Sequence, residues 1–197
     1  MLVLLLLTTA ASAAERLPIK VGKNKSSQIK YFDPNDPPAD MPSLQPPEAA
    51  VTVSAFSCSA QMRVIILEQN TVNGICHARA RIETVDISLG LNITIWLPNN
   101  PSRKLRVHED GHKKISEHYF DFGKETAERL AQPYVGKEIS GQGADCTKAI
   151  DDGIKASIKE LAGKYMTEIE MRSGERTNAM CPSRGGRLMV TPPSISR

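Results

Sequence analysis

Between residues 50 and 97 the chain alternates between apolar and polar positions. Val51-Thr52-Val53, Arg63-Val64-Ile65-Ile66-Leu67, and two longer runs over residues 75–82 and 85–97 are rich in β-branched side chains, which suit the pleated surface of a sheet. Asn73-Gly74, between two of these runs, supplies the residue types of a two-residue hairpin, whose central positions both need positive φ. Asp86-Ile87-Ser88-Leu89 and Asn92-Ile93-Thr94-Ile95-Trp96 follow a period of two, interrupted at Gly90. The pattern predicts a small antiparallel or mixed sheet of about three to five strands, with residues 92–97 at its edge.

From residue 103 the period changes. Leu105, His108, His112, Ile115, Tyr119 and Phe122 recur at steps of three and four, which is one face of a helix. Asn100 or Ser102 would cap its start. Gly123 would stop or bend it, with residues 124–131 as a continuation ended before Pro133. A glycine-rich loop over 136–143 leads to a second long helix, residues 144–172, with Cys146, Ile150, Ile154, Ile158, Leu161 and Tyr165 on its apolar face. Ser173-Gly174 would end that helix. Strands followed by helices predict an α+β domain, placed at residues 50–190. Ahead of it, residues 15–49 read as an irregular arm. Seven of the thirteen prolines fall there, and each removes a backbone donor. Only residues 29–32 suit a short strand.

Composition adds a compartment. Residues 1–7 are almost purely aliphatic and are followed by small residues ending in Ala11-Ser12-Ala13-Ala14, the pattern of a cleaved secretory signal over residues 1–14. That run is far short of the ~20 residues that span a bilayer. A secreted or periplasmic protein follows, with no stable membrane insertion. In such a compartment Cys58, Cys76, Cys146 and Cys181 are expected to form two disulfides. Three pairings are open, and the simplest joins Cys58 to Cys76 and Cys146 to Cys181. The net charge of +3 is small and no basic run is interleaved with aromatics, so nucleic acid is not an expected partner.

The chemistry sits at His108-Glu109-Asp110-Gly111-His112, an H-E-x-x-H. Residues four apart on a helix share a face, so the two imidazoles can bind one Zn²⁺. Glu109 is turned by about 100°, beside the metal and not on it. There it can act as general base toward an attacking water in a zincin-like hydrolase, with a peptide or protein as substrate. Both histidines are expected on the buried stripe. A third ligand is needed. His118 would give a longer metzincin-like spacing, but Ile115 replaces the glycine at which those helices turn. A straight helix carries His118 ~15 Å from His108. Glu168 continues the apolar face of the second helix, where a carboxylate must be exposed, paired or metal-bound. It is the preferred third ligand.

The layout resembles a bacterial family of secreted zinc-dependent proteases of uncharacterised function. The resemblance rests on Cys58 and Cys76, the H-E-D-G-H segment, Cys146, and the end segment over residues 167–182. It covers roughly residues 50–182. It implies an acid at Glu168, and Glu170, Arg172, Gly174, Ala179 and Pro182 also fit. Ser173 stands where the family has histidine, so any role of that histidine is lost or moved here. The alternative reading is a non-catalytic periplasmic metal-binding protein.

Overall fold

The computed structural model describes residues 18–180 and 188–190, with the backbone alone for 170, 174–180 and 188–190. The expected signal segment, Cys181 and the tail from residue 192 lie outside the described residues. The fold is α+β: a five-stranded mixed sheet with two long helices. The strands are β1 (Ile19–Phe32), β2 (Val51–Val72), β3 (Ile75–Pro98), β4 (Glu138–Gly143) and β5 (Leu188–Val190). The helices are α1 (Arg103–Ala131) and α2 (Cys146–Met180).

Strand β3 is the spine. Antiparallel β2 runs along one side of it, joined by the hairpin at Asn73 (φ 53°) and Gly74 (φ 75°). The other side is shared by parallel β1, opposite Val85–Pro98, and antiparallel β4, opposite Cys76–Arg81. Val85, Ile87, Leu89, Leu91 and Ile93 are buried, whereas Ser88 and Asn92 are exposed on the opposite face. Tyr165, Leu161 and Ile169 of α2 and Phe120 of α1 complete this core. Nearer the hairpin the buried positions become Ala78, Ala80 and Ile82. The phase slips because Glu83 is an extra residue of β3, between the pairs Arg63–Thr84 and Val64–Ile82. A bulge of this kind exchanges the faces of a strand.

Strand β1 corrects the reading of an irregular arm. No proline falls within residues 19–32, and its polar side chains hid it from hydrophobic patterning. Backbone pairing to β3 holds it, and its lysines grip α1. Lys23 pairs with Asp121 at 3.4 Å and Lys25 with Glu117 at 3.2 Å. The Lys23 ammonium also lies 4.7 Å from the centroid of the Phe120 ring. Positions two apart on a strand thus meet positions four apart on a helix. β1, not residues 92–97, forms this edge of the sheet: that stretch of β3 is paired on both sides. Lysines on an edge discourage pairing with another chain.

α1 ends at Ala131, before Pro133 as expected, whereas α2 runs past its expected end. Ser102 caps α1, its hydroxyl accepting the Leu105 N–H at 3.2 Å, and the helix continues through Gly123 without a stop. α2 continues through Ser173-Gly174 to Met180. Gly123 serves packing. A Cβ there would lie 2.5 Å from the Tyr165 hydroxyl, on a rigid ring buried in the core. Gly123→Ala should therefore destabilise the protein by about 1–3 kcal/mol through overpacking, although alanine is intrinsically the better helix former. Tyr165→Phe should restore most of that loss in the double variant. Denaturant midpoints of the two single variants and the double variant test this; no rescue would mean the contact is not the cause.

The cysteines pair differently from the simplest expectation. Cys76 bonds to Cys146, with 5.3 Å between their Cα atoms, and ties the start of β3 to the start of α2. Cys58 is a free, buried thiol on β2. Burial pushes its pKa up to about 12, so thiolate is scarce and the group is inert. Spacing along the chain favoured the nearer cysteine. The burial phase of β2 instead turns Cys58 into the main core, whereas Cys76 belongs to a separate small cluster beside α2.

Candidate metal centre

The first four turns of α1 pack against the start of β2. Thr52, Ser54 and Phe56 occupy the buried face of that strand. Two of these three are polar, and each meets a polar residue of α1. The Thr52 hydroxyl donates to Glu109 Oε2 at 2.8 Å. The Ser54 and Ser116 hydroxyls share a hydrogen bond of 2.7 Å, and Ser116 Oγ donates to the carbonyl of His112 at 3.2 Å. This seam sets the rotation of α1. Glu109, Ser116, Phe120, Gly123 and Ala127 face inward, while Phe122 is exposed. The buried stripe is therefore turned about one residue from the expected one: Glu109 lies at its centre, and the half-buried His108 and His112 flank it.

The two histidines nonetheless converge. Their Nε2 atoms are 3.2 Å apart and their rings are nearly perpendicular, with centroids 4.8 Å apart. Nitrogen ligands ~2.0–2.1 Å from a tetrahedral zinc lie ~3.3 Å from each other. The observed separation fits a shared ion. Burial holds His112 below the usual histidine pKa, reinforced by the charge of His108 and opposed by that of Glu48. The neutral ring is the form that binds metal. Burial also raises the Glu109 carboxyl above its ordinary value; the Thr52 bond and His108 pull it back, and Glu48 pushes it up. A raised carboxyl pKa suits a general base working near neutral pH.

The preferred third ligand is corrected. Glu168 accepts a hydrogen bond from Arg129 at 2.5 Å and is ion-paired with Arg172 at 2.6 Å. Arg129 lies 17 residues beyond His112 on an unbroken helix, ~26 Å along its axis. The carboxylate on that stripe is thus neutralised by Arg129, near the far end of α1, and by Arg172 of α2 itself. His118 is no substitute. It is exposed, edge-on to Tyr119 and Phe122, and the unbroken helix carries it away from His108 as expected. Among the described residues no group of three or more His, Cys, Asp or Glu side chains is gathered closely enough to hold a metal.

Sequence reading missed Thr52, the Ser54–Ser116 pair and Glu48. For the first two a signal existed. Extending the buried phase of Phe56 and Cys58 back along β2 puts Thr52 and Ser54, not Val51 and Val53, on the core face. Glu48 gave none, because its place depends on how residues 33–50 return to the sheet. There it lies on the rim of an apolar cavity of about 660 Å³ lined by Phe32, Pro38, Met41 and Leu44. The disulfide is compatible with an oxidising compartment, and among the described residues no helix is long and apolar enough to cross a membrane. Compared with family models, curated proteins and solved structures, the chain matches none.

Proposed function

We propose that this protein is an exported zinc-dependent hydrolase of the zincin type, acting on peptide bonds. The observation that carries the reading is the 3.2 Å convergence of His108 and His112 beside a buried carboxylate one residue along the same helix. The resemblance to secreted zinc proteases and the expected signal segment agree with it. A bound zinc supplies Lewis acidity, polarising a carbonyl and making water a nucleophile near neutral pH.

The chain's own residues do the rest. His108 and His112 would hold the ion. Thr52 fixes one oxygen of Glu109, so the carboxylate is oriented before substrate arrives. Glu109 takes the proton of the attacking water and returns it to the leaving amine. The apolar cavity beside Glu48 suits an apolar side chain of the substrate.

The mature protein should bind about one zinc per chain, as expected of an open tetrahedral site. His108→Ala and His112→Ala should each lose it. Elemental analysis of protein purified without chelators tests this, with circular dichroism as the check on folding. Full zinc occupancy in folded His112→Ala would exclude the site.

A further inference from the structure

We propose that Glu48 is the third metal ligand of the His108–His112 pair, delivered by the proline-rich loop between β1 and β2. This rests on the zinc reading above and goes beyond it by completing the ligand set. Two histidines and a carboxylate form an accepted catalytic zinc triad.

Proximity follows from the chain. Glu48 lies four residues before Thr52, and Thr52 is fastened to Glu109, one residue from His108 and three from His112. Four residues reach at most ~14 Å even when fully extended, so the carboxylate is confined to the neighbourhood of the pair. Ala50, between them, is buried in the main core and anchors the approach.

Three described acids of α1 are engaged elsewhere. Asp110 pairs with Lys114, Glu117 with Lys25 and Asp121 with Lys23. No cation pairs with Glu48 among the described residues. Its Oε2 accepts the Gln45 N–H at 2.8 Å, while its own N–H donates to the Gln45 carbonyl at 2.7 Å. A half-buried carboxylate on an apolar wall, held only by a backbone turn, lacks the opposite charge that such a group calls for. Exchanging the Gln45 bond for a cation at the histidine pair supplies that charge.

The test is a zinc titration of the metal-stripped full chain against a chelating indicator. Wild type, Glu48→Gln, Glu168→Gln and His112→Ala would be compared, with folding checked by circular dichroism. Glu48→Gln should raise the zinc Kd by more than about 100-fold, beyond the ~10–100-fold typical of losing an outer-shell partner. Glu168→Gln should leave it unchanged. With cobalt in place of zinc, the visible absorption of Glu48→Gln at saturation should differ from that of wild type, since one donor is gone. A Kd change of 100-fold or less with an unchanged cobalt spectrum would overturn Glu48 as ligand while leaving the histidine site intact. Wild-type protein that binds no zinc would remove the metal reading and this ligand together.

Discussion

Glu109→Gln should lower kcat for peptide hydrolysis by about 10²–10⁴-fold, the usual contribution of a positioned general base, while zinc stays bound. The two effects separate because Glu109 is not a proposed ligand: its Oε2 accepts a hydrogen bond from Thr52. An amide of the same shape can still accept the Thr52 bond, so the buried seam and the fold should be preserved. What it cannot do is take a proton. Steady-state hydrolysis of a peptide library, run beside zinc analysis of the same preparations, reads both outcomes. Unchanged turnover in Glu109→Gln would remove Glu109 as the base. Wild-type protein that holds zinc but cleaves nothing would favour the non-catalytic metal-binding alternative.

Removing the Cys76–Cys146 bond should cost about 3–4 kcal/mol of stability. The two cysteines are 70 residues apart in sequence, and closing a loop of that length removes about 4 kcal/mol of conformational freedom from the unfolded chain. The local core gives little in return. Its buried members around the bond are Cys76, Ala78, Ala80 and Ile150, with Val64 and Ile154 only partly buried against them, a modest apolar area. The covalent link therefore carries much of the attachment of α2 and β4 to the distal half of the β2–β3 hairpin. Cys76→Ser/Cys146→Ser should unfold at a clearly lower denaturant concentration than wild type, and reduction of the wild-type protein should have a similar effect. A midpoint unmoved by either would show that the attachment does not depend on the bond.

Much of the local structure was legible from residues alone, because it rests on contacts close in sequence. Asn73-Gly74 can turn a hairpin whatever surrounds it, since both residues tolerate positive φ. Ser102 caps a helix through an N–H three residues on. The spacing of His108 and His112 brings two rings together on any helix, and an unbroken α1 keeps His118 out of reach. Other features depended on contacts between distant residues. β1 has a polar pattern and is held as a strand by its ladder to β3 and by lysines reaching α1. The rotation of α1, with Glu109 inward, was decided by Thr52 and Ser54 on β2. Cys76 found Cys146, and not Cys58, because a register slip sends the two halves of the sheet into separate clusters. Glu168 met Arg129 because α2 crosses the far end of α1. In each of these cases the side chain's own chemistry allowed several partners, and packing between elements far apart in sequence selected one.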